Sequence, residues 1–129
     1  MPLTRISLRA GRTPAYHAAL TAGIYAAMRE TFAVPENDLF TVIHEHAASA
    51  FTADPSYLGI ARDEDLVIIQ ITANDTRGTD QKRALYRAIA RNLAQDPGLR
   101  PANVFINLVE VSRENWSFGE GAMQYGPPG

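Results

Sequence analysis

The sequence predicts an α+β fold, a β-α-β-β-α-β tandem duplication in which four strands form one sheet and two helices cover one of its faces. The first observation behind this prediction is the order of apolar patterns, which runs strand, helix, strand and then repeats. The second is a pair of matching intervals, since Arg12 and Glu45 are as far apart as Arg77 and Glu110 (45 − 12 = 33; 110 − 77 = 33). Two βαβ units in tandem can place their four strands in one sheet.

The first half starts with a strand and a helix. Ile6 and Leu8 alternate with polar residues, which indicates a half-buried strand. Thr13 is suited to cap a helix and Pro14 to occupy its first position. The helix that follows is rich in alanine and carries an apolar stripe of Leu20, Ile24 and Met28. The predicted elements of this half are residues 3–9, 15–31 and 40–44.

The second half repeats this order. Residues 66–71 are almost continuously apolar, which is typical of a strand buried on both faces. Thr79 is the expected N-cap of a helix that extends to about residue 95, and residues 104–111 form the fourth strand. Residues 47–65 are weakly patterned and predict a connecting loop that can include a short hairpin.

The chain is expected to be a single domain over residues 1–129. The repeat spans roughly residues 2–46 and 66–111, and an aromatic tail at 115–129 is expected to be ordered surface. Because no helix covers the second face of the sheet, its Ile and Leu side chains predict an oligomer.

Composition excludes several classes of function. The formal net charge of −2 gives no support for nucleic-acid binding, which depends on Lys and Arg neutralising phosphates. The absence of cysteine excludes disulfides and thiolate metal sites, and it fits a cytoplasmic location. No secretory signal and no membrane-spanning run is visible, so no membrane partner is expected.

The residue after the initiator methionine is a candidate for chemistry. If Met1 is removed, which a small second residue such as proline usually permits, Pro2 carries a free secondary amine. An α-amino group titrates near ~7.7–8.0; burial or a nearby cation lowers that value, and a nearby carboxylate raises it. Such an amine can transfer protons at neutral pH or form an iminium with a carbonyl group.

Several segments resemble a known family. The turns at residues 11–13 (Gly-Arg-Thr) and 77–82 (Arg-Gly-Thr-Asp-Gln-Lys) resemble the Gly-Arg-Ser/Thr turn of 4-oxalocrotonate tautomerase. Residues 34–38 (Val-Pro-Glu-Asn-Asp) and 115–121 (Asn-Trp-Ser-Phe-Gly-Glu-Gly) resemble malonate semialdehyde decarboxylase and its relatives. Together with the duplication and Pro2, these segments make the chain similar to the tautomerase superfamily over nearly its whole length.

The resemblance implies roles for six residues. Pro2 matches the catalytic proline, and Asp38 matches the aspartate that helps to activate water or set the charge of the proline in the decarboxylase branch. Arg77 matches an arginine that binds the substrate carboxylate. The last three match an aromatic wall around the site: Trp116, Phe118 and Tyr125.

The resemblance also implies a homotrimer with active sites near the subunit contacts, and no cofactor or metal is expected. The sequence departs from the decarboxylase at one point. That enzyme carries two arginines on the turn after the third strand, whereas residues 74–77 supply only Arg77.

Three functions remain open at this point. The first is an enzyme that tautomerises a small 2-oxo acid such as an arylpyruvate, with Pro2 as acid and base. The second is decarboxylation or hydration of a small 3-oxo acid, similar to malonate semialdehyde, through Pro2, Asp38 and Arg77. The third is a ligand-binding module without chemistry.

Two further features have mainly structural interpretations. Arg12 either lies near the site or pairs with Glu30 or another surface acid, and the second interpretation is preferred. His44 and His46 share one strand face but lack a third ligand at a suitable spacing, so they are weak candidates for a metal site.

Overall fold

A computed structural model of the chain describes residues 2–129, so Met1 lies outside the described residues. The order of elements is β-α-β-β-α-β, as predicted, with short 3₁₀ turns between them. The elements are β1 (Leu3–Arg9), α1 (Pro14–Phe32), β2 (Thr41–His46), β3 (Val67–Asn74), α2 (Thr79–Gln95) and β4 (Val104–Val111). The bounds of β1 and β4 agree with the prediction, whereas β3 extends three residues beyond it.

The four strands form one mixed sheet in the order β2-β1-β3-β4. Within each half the two strands run parallel, and the halves meet through antiparallel pairing of β1 with β3. Strand β1 is therefore an inner strand, with Ile6 opposite Ile43 on one side and Ile69 on the other. Residues Leu3–Arg9 are thus held between two neighbouring strands.

Both helices begin where the sequence supplies a cap. The Thr13 side chain accepts a hydrogen bond from the Tyr16 amide at 3.1 Å, and Pro14 follows at the first helical position. The cap of α2 is Gly78 rather than the predicted Thr79, which becomes the first helical residue. The Gln81 side chain accepts a hydrogen bond from the Gly78 amide at 3.3 Å, so glycine can cap without a side chain of its own.

The core lies between the helices and one face of the sheet. Alternate strand residues point toward the helices, and each helix contributes one apolar stripe to the same layer. The largest apolar side chains buried there are Ile6, Leu20, Ile24, Met28, Ile69, Ile71, Leu85, Ile89 and Leu93. Burial of these side chains is the main favourable contribution to folding.

The opposite face of the sheet is open in the single chain. Val42 and Phe105 are 43% and 44% exposed on this face, and Ile68 is half-buried. The prediction that residues 66–71 are buried on both faces is therefore wrong for the monomer, because the alternate residues of β3 have no second layer above them.

The loop predicted between residues 47 and 65 contains no hairpin among the residues that the structure describes. Two 3₁₀ turns, Ala48–Ala50 and Tyr57–Gly59, form there instead. At the apex of the second turn Leu58 adopts a left-handed conformation with φ of 61°.

The two halves match position by position. The first residues of α1 and α2 are 65 positions apart (79 − 14 = 65), and so are the 3₁₀ turns that follow β2 and β4 (113 − 48 = 65). The same interval pairs Arg12 with Arg77. A comparison of residues 65 positions apart therefore distinguishes features that the fold requires from features found in only one half.

Leucine-to-alanine substitutions at two positions, one buried and one exposed, test the location of the core. Leu20→Ala removes a side chain with no exposure and is expected to lower the free energy of unfolding by about 2–5 kcal/mol, because it leaves a cavity. Leu58→Ala, at a position 76% exposed, should change the same free energy by less than about 0.5 kcal/mol. Urea unfolding at a fixed protein concentration measures both, and equal losses would contradict the assignment.

Candidate active site

Pro2 lies immediately before the inner strand β1 and is buried. The amide of Thr4 donates a hydrogen bond to the Phe40 carbonyl at 3.0 Å, which holds the beginning of β1 against the segment that leads into β2. Pro2 is one wall of a cleft with a volume of about 330 Å³. The cleft is lined by Pro2, Leu3, Phe40 and residues 115–118.

Three aromatic rings of the tail form a continuous stack beside Pro2. Trp116 and Phe118 lie nearly parallel with ring centroids 5.3 Å apart, and Tyr125 packs edge-on against Phe118 at 4.8 Å. The guanidinium of Arg113 lies over the Tyr125 ring, 5.3 Å from its centroid. Of the three rings, Trp116 and Phe118 line the cleft itself.

The tail is folded back by its own hydrogen bonds. The Gln124 side chain accepts from the Phe118 amide at 2.9 Å and donates to the Gly119 carbonyl at 3.1 Å. Gly119 and Gly121 have φ of 146° and 68°, conformations that favour glycine and that turn the chain between Phe118 and Tyr125. These contacts fix the rings without any regular secondary structure.

Asp38 lies in the turn that connects α1 to β2. The Tyr25 hydroxyl donates to the carbonyls of Pro35 and Glu36, and the Asp38 amide donates to the Pro35 carbonyl at 3.1 Å. Asp38 is two residues before Phe40, and Pro2 is likewise two residues before Thr4. Since Thr4 and Phe40 are hydrogen-bonded, the turn brings Asp38 to the end of the sheet where Pro2 lies.

Arg77 lies on the turn between β3 and α2, and the end of α1 holds its side chain. Its Nη2 donates to the Phe32 carbonyl at 2.8 Å, and its guanidinium lies 4.7 Å from the centroid of the Phe32 ring. Gln81 donates to the neighbouring Thr31 carbonyl. The last carbonyls of α1 therefore find donors here, and a cation at this helix end is electrostatically favourable.

Burial shifts the pKa of both charged groups. The pKa of Asp38 is raised above its ordinary value because burial penalises the carboxylate, although the nearby Arg77 acts in the opposite direction. The pKa of Arg77 is lowered, again chiefly by burial, while Asp38 and Tyr125 oppose that shift. Arg77 is thus electrostatically coupled to both Asp38 and Tyr125.

The six residues predicted for the site form a connected series. Pro2, Trp116 and Phe118 face one cleft, Tyr125 contacts Phe118, and Tyr125 and Asp38 are both coupled to Arg77. Arg77 and Asp38 are not among the residues that line the cleft.

Sequence reasoning missed two residues of this region. The sequence pattern predicts Phe40 to begin a strand, yet it precedes β2 and is 51% exposed at the cleft. Its position just after the turn at Asp38 is the available signal. The sequence shows Asn74 only as part of a turn that lacks a second arginine. It is the last residue of β3, and its Oδ1 accepts a hydrogen bond from Trp116 Nε1 at 2.7 Å.

The residues given structural interpretations lie away from the cleft. Arg12 forms an ion pair with Asp65, a surface acid as expected, whereas Glu30 pairs with Arg91. Over residues 2–129 no group of three or more His, Asp and Glu side chains is arranged to hold a metal ion. No helix in the same part of the chain has the length and apolar character needed to cross a membrane.

Comparison with known proteins gives a consistent family. A family model described as a tautomerase enzyme matches residues 38–119, and a second model with the same description matches residues 2–60. The chain is 41% identical to a probable tautomerase of Bacillus subtilis, YusQ, over 96% of this chain and 98% of the relative.

Solved structures agree with these matches. A malonate semialdehyde decarboxylase superposes with a TM-score of 0.90 at 30% identity, with 95% of each chain covered. A second, FG41 malonate semialdehyde decarboxylase inhibited by 3-bromopropiolate, superposes with a TM-score of 0.89 at 32% identity, covering 95% of this chain and 93% of the other.

The raised pKa of Asp38 predicts an unusual effect on stability. Because folding disfavours the ionised carboxylate, Asp38 destabilises the folded protein at high pH. The destabilisation is complete above the pKa of Asp38 in the folded protein, and it disappears below the ordinary pKa of aspartate. Asp38→Asn should therefore raise Tm at pH 7 modestly, and the gain should shrink as the pH falls through that window.

A matched control lies in the same turn. Glu36→Gln removes an exposed carboxylate and should leave Tm nearly unchanged across the same pH range. Thermal unfolding from pH 3 to pH 8 compares the two variants. A lower Tm for Asp38→Asn at pH 7 would mean that favourable pairing outweighs the cost of burial.

Proposed function

Since this chain is an enzyme of the tautomerase family, we propose that it converts the enol and keto forms of a small 2-oxo acid, with the amine of Pro2 as acid and base. The observation that carries the proposal is the position of Pro2, buried at the wall of an aromatic-lined cleft. Family membership favours this enzymatic function over a ligand-binding module without chemistry.

The proposed reaction needs one group that exchanges a proton between oxygen and carbon. The Pro2 nitrogen accepts the hydroxyl proton of the enol, the carbon–oxygen double bond forms, and the carbon next to the carbonyl takes a proton back from the amine. Burial disfavours the protonated amine, whereas the Asp38 carboxylate at the same end of the sheet favours it, so the two together set its charge. General acid–base catalysis of this kind contributes about 10²–10⁴-fold to the rate.

Arg77 is proposed to bind the carboxylate of the substrate. Its hydrogen bond to Phe32 uses one of five guanidinium donors, so others remain for a charge-assisted pair. Its partial burial strengthens such a pair, because water screens it less. A substrate carboxylate at Arg77 would add a second negative charge to the one that Asp38 already supplies near the guanidinium.

The aromatic wall supports an aryl or similarly apolar substrate. Trp116 and Phe118 offer ring surface within a cleft of about 330 Å³, which leaves room beyond the oxo-acid group itself. Rings of this kind bind aromatic groups through area burial and stacking. An arylpyruvate therefore fits the proposed site better than a three-carbon acid does.

Decarboxylation or hydration of a small 3-oxo acid is the second candidate. Asp38 favours it, because a carboxylate beside the start of β1 could keep the Pro2 amine protonated and activate water. The similarity to the solved decarboxylases supports the same candidate. Against it stands the turn at residues 74–77, which supplies one arginine where the decarboxylase carries two.

The open sheet face supports assembly as a homotrimer. Val42 and Phe105 are exposed on it, and inter-subunit packing would bury them. The cleft opens at the end of this sheet, so neighbouring subunits would lie close to it.

Pro2→Ala tests the proposed catalytic amine. The variant keeps a terminal amine but loses the secondary amine and its fixed geometry, so kcat/KM for phenylenolpyruvate should fall by about 10²-fold or more. Ultraviolet absorbance of the enol follows the reaction, and intact mass must show that Met1 is absent from both proteins. CO₂ release from malonate semialdehyde, measured in parallel, shows how decarboxylation compares with tautomerisation as the activity of this protein.

Pro55→Ala, at an exposed proline, is the control and should retain full turnover. If Pro2→Ala turned over both substrates at the wild-type rate, the amine would have no part in the reaction.

Arg77→Ala tests carboxylate binding. Loss of a charge-assisted hydrogen bond should raise KM about 10- to 100-fold, since such bonds contribute roughly 1.5–3 kcal/mol. Arg12→Ala is the matched control, because Arg12 occupies the equivalent turn of the first half and pairs with Asp65. Steady-state kinetics measures KM for both variants. An equal rise in KM for the two would mean that the loss of positive charge, and not a specific bond from Arg77, weakens substrate binding.

A further inference from the structure

Asn74 is a buried polar residue beside the cleft. It ends β3, its side chain is on the open face of the sheet, and it is 8% exposed. Its Oδ1 accepts the indole N–H of Trp116 at 2.7 Å. Indole nitrogen is a donor only, so this single bond uses the whole hydrogen-bonding capacity of the Trp116 side chain.

We propose that Asn74 is a positioning residue that sets the specificity of the cleft for apolar substrates. By binding the indole N–H from outside the cleft, it leaves Trp116 with ring surface and no donor to offer a substrate. The proposal rests on the proposed function for its substrate, a 2-oxo acid with an aryl side chain. A wall without donors favours such a side chain, because a polar one would lose its bonds to water there.

The same bond holds the rest of the wall. Trp116 stacks on Phe118, and Phe118 packs edge-on against Tyr125, which is coupled to Arg77. Asn74 therefore holds the first of three rings that pack against one another in series. A displaced indole would shift each ring that follows it.

The first half of the chain shows that the fold does not require this bond. The positions equivalent to Asn74 and Trp116, 65 residues earlier by the interval described above, are Arg9 and Phe51. Arg9 lies 4.7 Å from the centroid of the Phe51 ring and reaches the Phe51 carbonyl at 3.5 Å. A cation and a hydrocarbon ring pack together there instead, so the amide–indole pair is a property of the second half alone.

The experiment uses the intrinsic fluorescence of Trp116, which is the single tryptophan of the chain. Asn74→Ala should shift its emission and raise its quenching by acrylamide about twofold, without any substrate present. In steady-state kinetics with phenylenolpyruvate the same variant should raise KM about tenfold and change kcat less than about threefold. Asn74→Asp keeps the acceptor oxygen and should restore both the emission and most of the KM.

Two controls separate positioning from general packing. Arg9→Ala removes the equivalent side chain of the first half and should leave KM and emission unchanged. In a Trp116→Phe background Asn74→Ala should add less than about twofold to KM, because its partner is already gone.

Unchanged emission and KM in Asn74→Ala would overturn the proposal, and so would an equal rise in KM for Arg9→Ala. The fluorescence measurements do not depend on turnover. A wild-type protein with no activity on 2-oxo acids would therefore refute the proposed function, while a normal emission in Asn74→Ala would refute the positioning role by itself.

Discussion

The structure depends on one constraint, which is that an inner strand of the sheet starts at the third residue of the chain. Because β1 is hydrogen-bonded to β2 on one side and to β3 on the other, the residue before it cannot move away from the sheet. Pro2 is buried for that reason, and the segment with Phe40 lies against the same end through the Thr4 amide. Chain ends are usually exposed and poorly held. Here the pairing of β1 makes the amino-terminal region part of a cleft.

The duplication explains how a small domain can build a polar site without losing its core. Each half supplies the same strands and helix, and the buried apolar layer is shared between them. Equivalent positions then diverge. Arg12 is paired with an exposed acid on the surface, whereas Arg77 is drawn against the end of α1 and coupled to Asp38. Burial opposes the charged form of both members of that pair, so the site is held in place at some cost to stability.

Most of the fold could be predicted from the sequence, because strand alternation and helix stripes are local patterns. The bounds of β1 and β4 were predicted to the residue, since turn residues and alternation agree there. The end of β3 could not be predicted, because the strand continues through polar Asn74 by pairing with β4, and pairing between distant strands is not a local pattern. The tail is similar: its rings were visible in the sequence, but their order in space depends on glycine turns and on Gln124 bonds across the loop. Pro2 was a candidate from its own chemistry, the other five site residues came from a family resemblance, and all six roles stay predictions.

The proposed reaction requires the Pro2 nitrogen to accept and return a proton, so the titration of the Pro2 amine is the decisive measurement. Protein labelled with ¹⁵N-proline, with removal of Met1 verified by mass, would give the midpoint of the Pro2 amine by NMR. We expect this midpoint to coincide with a limb of the kcat/KM profile for a 2-oxo acid. A Pro2 nitrogen that does not titrate where the rate changes, or a chain that keeps Met1 while remaining fully active, would contradict it.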